Sequence, residues 1–438
     1  MIKSKSALRI LTCFLFFLFC AGFSAAEDVI AFRAGRIITV TQGTVEDGIL
    51  LIQGGKIADV GGKTAIPPGA KVIDASKYTI MPGLIDAFTN LGTTEIESLG
   101  GDSDEATSPV TPHLRIVDAF NPENRFIPIA RRSGITAALT APGEGNLLSG
   151  QSALIFLSGE TIEDMVLAFP VAVHGSLGEL PKLRYGAKGL TPSTRMGAAA
   201  LLRQTLIDAG AYGKKIRDYE EKLKEYRSRT GEAAGGAEKK EEKKDEDLPD
   251  EPIPPPVDFK LSALLPLLKG EMPLIVRANR VDDILTALRI ADEFGLKIIL
   301  NHGAEAYKLA GKLAEKKIPV LVGPLSDYFQ RLETRDALFT NAVRLHKAGV
   351  KIAFQTGSVQ NVSDLLYQAE KAVSYGLPYD EALKALTLYP AQIFGVDEML
   401  GSIEKGKSAS FVAFEGEPLE NLSRVKMVVI RGRVFESE

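Results

Sequence analysis

The 438-residue chain has no tryptophan, four histidines and two cysteines, and each scarcity narrows what it can do. Both cysteines, Cys13 and Cys20, lie in the first apolar stretch. Once that stretch is removed the chain has no thiol, which excludes disulfides and cysteine-ligated zinc. The lack of tryptophan counts against a site that stacks sugars. His113, His174, His302 and His346 are so scattered that no two form an H-x-H pair. A formal net charge of −4, with no basic face evident, argues against nucleic acid as a partner. Beyond the first stretch no apolar run is long enough to cross a bilayer.

The N-terminus itself reads as a secretory signal over residues 1–26. Lys3, Lys5 and Arg9 give a positive start, Ile10 to Phe23 is apolar, and Ser24-Ala25-Ala26 supplies small residues for cleavage. The alternative, an uncleaved membrane anchor, needs roughly 20 apolar residues, and this run is shorter. A lipoprotein signal is a weaker alternative, because Phe19 stands before Cys20 where Gly or Ala is wanted. The expectation is an exported product, periplasmic or secreted, with no membrane association after cleavage.

Two β-rich ends flank a longer mixed region. Ile30-Ala31-Phe32, Arg36 to Val40, Gly48 to Ile52 and Lys56 to Val60 read as short strands punctuated by Gly54-Gly55 and Pro67-Pro68-Gly69. Ser410 to Phe414, Val425 to Ile430 and Gly432 to Phe435 repeat the pattern at the far end. This predicts a small β-sandwich closed by both termini, from residues 27–80 and 399–438. Between them, buried-strand runs at Tyr78 to Ile85, Ile135 to Thr140, Leu274 to Ala278, Ile298 to Leu300, Val320 to Gly323 and Lys351 to Gln355 alternate with helical spacing such as Ile284, Leu285, Leu288 and Ala291. That alternation predicts parallel β/α architecture, with site residues at the C-terminal ends of strands. A charged excursion over about 211–257 interrupts it: a helical stripe of Ile216, Tyr219, Leu223 and Tyr226, then a Gly-, Lys- and Glu-rich tract and the prolines from Pro252 to Pro256. The stripe is expected to pack on the wall of the same domain, and the charged tract to be solvated.

The segment Ile80-Met81-Pro82-Gly83-Leu84-Ile85-Asp86-Ala87-Phe88-Thr89-Asn90 resembles the P-G-[LF]-I-D-x-H-x-H signature of metal-dependent amidohydrolases. Further likeness, to an exported branch related to imidazolonepropionases, is carried by Pro109 to His113, Asp118 to Pro122, Gly134-Ile135-Thr136, Pro142-Gly143-Glu144-Gly145-Asn146, Arg280 to Leu285, Asn301 to Tyr307 and Gly401 to Lys407. The resemblance implies a (β/α)8 TIM-like barrel over 81–398 beside the two-ended β-sandwich. It also implies zinc or another divalent metal as the family cofactor, and hydrolysis of carbon–nitrogen bonds as the family activity.

The metal-ligand positions are where this chain departs. The two histidines of the signature are Phe88 and Asn90, the fifth-strand histidine is Arg277, the next histidine of that pattern is Asn279, and the eighth-strand aspartate is Gly357. Only the sixth-strand histidine, His302, is retained; Glu179 is a weaker match to a fourth-strand carboxylate, and Ser410 replaces a structural aspartate. A phenyl ring has no lone pair and a neutral amide is a poor zinc ligand. A guanidinium about 4 Å from a divalent ion costs roughly 8 kcal/mol at an effective dielectric of 20. No metal is therefore expected, and Arg277 is expected to replace the ion's charge by pairing with Asp86 or Glu305; the alternative is that it swings out to solvent. His302 reads as a remnant ligand or as a satisfied pocket histidine. His174-Gly175-Ser176 is not a nucleophile elbow, and Gly143-x-Gly145 reads as a tight turn rather than a dinucleotide motif.

Three functions remain open. One is a pseudoenzyme with a binding or subunit role, as a homodimer or beside an active paralogue. Another is a carbon–nitrogen hydrolase with an atypical or metal-free site, in which Asp86 is base, His302 acid–base and Arg277 oxyanion stabiliser. The third is a binding protein for a small anion, with Arg277 as its clamp.

Overall fold

In the computed structural model the described residues are 29–95, 101–230, 250–420 and 423–436. The expected leader and most of the charged tract lie outside them.

The two ends of the chain build one eight-stranded sheet. Its strands are β1 (Ile30–Ile38), β2 (Thr44–Glu46), β3 (Ile49–Gln53), β4 (Lys56–Gly61) and β5 (Lys71–Pro82) from the N-terminal side. From the C-terminal side come β16 (Phe411–Glu415), β17 (Arg424–Ile430) and β18 (Arg433–Glu436). The order is β18-β17-β16-β5-β1-β3-β4, with β2 on β1. β5 joins the halves, parallel to β1 and antiparallel to β16. The β3–β4 hairpin turns on Gly54 and Gly55, both at positive φ (57° and 71°), as a tight primed turn requires. Alternation decides what each face covers. Phe411 and Ala413 join Phe32, Leu50, Ile57 and Ile80 in a small separate core, where Phe32 and Phe411 meet edge-on at 5.0 Å. Val412 and Phe414, on the other face, enter the large core of the middle region. The sheet curls round the small core until the β3–β4 turn meets the β17–β18 turn, where a Cβ at Gly432 would lie 3.1 Å from Gly55 Cα, an arrangement consistent with the expected small β-sandwich.

Gly83 separates this sheet from the next, so the single strand expected from Tyr78 to Ile85 is two. Any Cβ at Gly83 would lie 2.1 Å from the Thr136 side chain, and its N–H bonds to the Ser410 carbonyl at 3.1 Å. β6 (Leu84–Thr89) then begins a four-stranded sheet, ordered β10-β9-β7-β6 with β7 (Ile135–Thr140), β9 (Ala153–Phe156) and β10 (Val166–Ala168). A six-stranded sheet, ordered β15-β14-β13-β12-β11-β8, holds β8 (Leu148–Gln151), β11 (Val173–Ser176), β12 (Leu274–Ala278), β13 (Ile298–His302), β14 (Val320–Val322) and β15 (Ile352–Phe354). β11 to β15 run parallel, as do β6 and β7. Helices between them bury one stripe each. In Val281–Phe294 the stripe includes Ile284, Ala287, Leu288 and Ala291, and the helix stops at Gly295, left-handed at φ 66°.

The fold is mixed α/β, but strand pairing does not make the closed eight-stranded ring that the sequence predicts. β7 spends its second edge on antiparallel β9, and β11 spends its second edge on antiparallel β8. The ladder between the parallel runs is broken there. Between β6 and β15 the contact is a seam rather than a ladder: Gly357 N–H donates to the Phe88 carbonyl at 3.0 Å.

The charged excursion begins as the second half of one helix, Arg195–Thr230, whose 36 residues span about 54 Å. Its buried positions end at Gly213. The stripe Ile216, Tyr219, Leu223 and Tyr226 is only half-buried, so it does not pack into the wall as expected. Tyr219 and Tyr226 instead line a groove with the returning Pro252–Pro256 segment. Among the described residues no helix is long and apolar enough to cross a membrane.

Candidate functional site

Phe88, Asn90, His302 and Gly357 line a single cavity of about 940 Å³ at the C-terminal ends of the strands, so four of the expected positions converge. Glu144, Asp104, Arg184, Asp327 and Arg331 share its wall. Arg277, Asp86, Asn279, Glu305 and Glu179 do not line it.

Arg277 lies on β12 and is 1% exposed, which rules out the outward-swung alternative. Its expected partners, Asp86 and Glu305, are not its partners. One guanidinium nitrogen donates to Glu333, and Nε sits 3.1 Å from Glu144. Glu333 itself is 0% exposed, and it also accepts from Asn279 Nδ2 at 3.1 Å and from the Glu179 N–H at 3.0 Å. Glu144 accepts from Asn301 Nδ2 at 2.8 Å, and one of its oxygens is 3.0 Å from His302 Nε2. Burial works against charging either carboxylate. The charges of His302 and Arg277 outweigh it at Glu144, and Arg277 with its hydrogen bonds outweighs it at Glu333, so both are held below the ordinary range. Burial likewise opposes the guanidinium, but Glu144 and Glu333 hold its pKa above the ordinary value. Arg277 is therefore a fixed charge inside the protein, and it cannot clamp a ligand's carboxylate or stabilise an oxyanion in the cavity.

Asp86 is held differently. It is 0% exposed and accepts from Thr356 N–H at 3.0 Å, Thr356 Oγ1 at 2.5 Å and Phe88 N–H at 3.3 Å. Burial raises its pKa to about 7, and the three hydrogen bonds only partly offset that. It closes the seam between β6 and β15 from beneath the cavity and is not placed to act on a ligand as a base.

The other positions have also taken structural work. Asn90 accepts from Val359 N–H at 2.8 Å and donates to Thr94 Oγ1 at 3.1 Å, so its amide ties two loops together. Gly357 has φ 77°, and a Cβ there would lie 2.8 Å from the Pro324 ring; an aspartate would meet both strain and collision. Phe88 packs its ring 5.6 Å from His174 and 6.3 Å from His302. His174 is neutral: burial lowers its pKa to about 3 against the pull of Glu144, and its Nε2 has no hydrogen-bond partner. Glu305 accepts from Val281 N–H at 3.0 Å at the start of the preceding helix, Val281–Phe294, and pairs with Lys308 at 3.3 Å. Glu179 begins the helix Glu179–Gly186 and is not a strand carboxylate. Ser410 keeps an anchoring role through its hydroxyl, which accepts from Arg431 N–H at 3.1 Å.

Among the described residues no group of three or more His, Cys, Asp or Glu could hold a metal ion. The side chains gathered there are poor metal donors by chemistry as well: the Phe88 ring and Gly357 offer no lone pair, and the Asn90 amide is engaged by Val359 and Thr94. Sequence reasoning missed Glu144 and Glu333. Glu144 was visible between Gly143 and Gly145 but read as part of a turn. Nothing local marks Glu333, which reaches Arg277 from the loop between β14 and the helix Asn341–Lys347.

A crystal structure of an amidohydrolase from Thermotoga maritima MSB8 is 35% identical to this chain, covers 93% of it and 100% of itself, and superposes with a TM-score of 0.80. This chain belongs to the amidohydrolase family. Residues 334–435 match that family's sequence profile. Amidohydrolase tasK of Hapsidospora irregularis is 25% identical over 393 residues; the match covers 85% of this chain but 38% of that protein. Imidazolonepropionase of Rhizobium meliloti (strain 1021) is 28% identical over 165 residues, 35% of this amidohydrolase-family chain and 39% of that protein. A prolidase complexed with N-methylphosphonate-L-proline shares the fold at 17% identity and a TM-score of 0.57.

Proposed function

We propose that this amidohydrolase-family chain is a non-catalytic member that keeps the cavity and has exchanged metal chemistry for an ion cluster of its own. The observation that carries this reading is Arg277, buried on β12 and paired with Glu144 and Glu333 inside the protein. A cation fixed there repels a second cation and uses the carboxylates that would hold one. Phe88, the committed Asn90 and the crowded Gly357 support the same reading. Its test is elemental analysis of the purified chain, together with turnover assays on hydantoin-like rings and dipeptides. The expected result is metal far below one ion per chain and no hydrolysis. Near-stoichiometric zinc, iron or manganese overturns it.

A second reading, metal-free carbon–nitrogen hydrolysis, is favoured by one contact: His302 against Glu144 in the cavity wall, an acid–base pair by chemistry. Turnover that vanishes in His302→Gln would support it.

The parallel strands and the Asp86–Thr356 seam support taking the two inner sheets together as a distorted (β/α)8 barrel. We also propose that the leader directs export, and that the product works as a homodimer or beside an active paralogue. Mass spectrometry of the mature N-terminus and light scattering of the exported chain test these two points.

A further inference from the structure

Resting on the homodimer reading, we propose that the second copy docks on an exposed aromatic patch beside the cavity mouth, with the helix Leu365–Ser374 of each copy crossing the other antiparallel at Tyr367. The patch is built from two elements. The loop after β14 supplies Phe329, Leu332 and Phe339, and the helix supplies Tyr367, Lys371 and its C-terminal neighbour Tyr375. Ring contacts make it continuous: Phe329 lies edge-on to Phe339 at 6.0 Å, and Phe339 stacks on Tyr375 at 5.5 Å. Lys371 rests over Phe339 and Tyr375, at 5.5 and 5.6 Å. Phe329, Leu332, Tyr367 and Tyr375 are nonetheless 59%, 61%, 50% and 43% exposed. At ~200 Å² for each such side chain they show roughly 400 Å² together, about half of the ~800 Å² that each partner buries in a standard interface. That is the share expected of an apolar centre inside a polar rim.

Phe329 has φ 64°, a left-handed conformation that a bulky residue rarely adopts. Burial within its own chain does not account for that strain; cover by a partner does. The charges say which partner. Asp364, Tyr367, Lys371 and Tyr375 follow one another at three- or four-residue intervals and share the outer face of the helix. Neither Asp364 nor Lys371 forms an ion pair among the described residues. Their signs are opposite, and they stand three residues before and four after Tyr367. An antiparallel copy crossing at Tyr367 therefore sets Asp364 against the partner's Lys371, and the two-fold axis repeats the pair. A face that complements itself in this way fits a second copy of the same chain. The interface also borders the cavity: Asp327, Gln330 and Arg331 of the same loop line it, as do Gln360 and Asn361 just before the helix. A copy seated on the patch stands at that rim and narrows the entrance.

The test is sedimentation velocity of the full chain over a range of concentrations, with Cys13 and Cys20 changed to serine so that Tyr367→Cys adds the sole thiol. The parent is expected to be dimeric. Asp364→Lys and Lys371→Asp should each weaken the dimer at least about tenfold by setting like charges together, and the variant carrying both should recover it. Both side chains lie on the outer face of the helix, so folding should survive, as circular dichroism will show. Tyr367→Cys should be joined to its own kind by a short bis-maleimide, since the two-fold axis brings the two positions together. A dimer indifferent to both reversals overturns this interface and leaves the homodimer reading standing. So does a double variant as weak as the single ones, or a Tyr367→Cys chain that does not cross-link. A chain monomeric at every concentration overturns both.

Discussion

Asp86 and Glu333 are both carboxylates with no solvent exposure, and the protein holds them in opposite ways. Asp86 has three hydrogen-bond donors and no cation, and burial drives its pKa up to about 7. Glu333 has comparable donors plus the Arg277 guanidinium, and its pKa stays below the ordinary range despite burial. Depth alone therefore does not decide whether a carboxylate is charged. A fixed counter-charge does, and here it stands where a metal-binding histidine is expected.

The hardest blow to this contrast is Arg277→Ala. It leaves the fully buried Glu333 without its cation and should cost about 3–5 kcal/mol in urea unfolding at neutral pH. A double change, Arg277→Met with Glu333→Met, should cost clearly less than the sum of the two single changes; strict additivity would mean the pair is not coupled.

The next effect is on pH dependence, where the two carboxylates should pull in opposite directions. Folding raises the Asp86 pKa from 3.8 to about 7. The folded state thus binds that proton more tightly, and the contribution is fully present below the unfolded pKa. It is lost as pH rises toward 7, at up to about 1.4 kcal/mol per pH unit. Glu333, with its pKa lowered by folding, contributes above its ordinary value of 4.5 and loses that contribution as pH falls. Asp86→Asn should flatten the fall in stability between about pH 4 and 7, and Glu333→Gln the loss of stability at lower pH; unchanged unfolding curves would refute the assignment.

Thr356→Val removes one hydroxyl donor from Asp86 and should cost about 1–3 kcal/mol, more at pH 8 than at pH 5 because the charged form needs the donor most. Gly357→Ala, left-handed and 2.8 Å from the Pro324 ring, should cost about 1–2 kcal/mol in the same assay. Smallest of all, Tyr226→Ala on the distal half of the long helix should change stability by less than about 0.5 kcal/mol, since that half buries little.

Much of the architecture was legible before the coordinates. The β-rich run from Ser410 to Phe414 marked a strand, and the spacing of Ile284, Leu288 and Ala291 marked a helix. These patterns are local, because side-chain direction repeats every two residues in a strand and every 3.6 in a helix. Family likeness also located the cavity: Phe88, Asn90, His302 and Gly357 do line one space.

What stayed hidden was who meets whom. The partners expected for Arg277 were Asp86 and Glu305, each plausible by charge. The actual partners are 133 and 56 positions away along the chain, on loops that follow other strands. Ring closure by a simple parallel ladder failed for a similar reason, because β8 and β9 take edges that the strand-by-strand pattern left free. Residue type and local period are written in a few consecutive positions. Ion pairing, burial and edge occupancy depend on which distant segments arrive at the same point, and no short stretch of this chain carries that information.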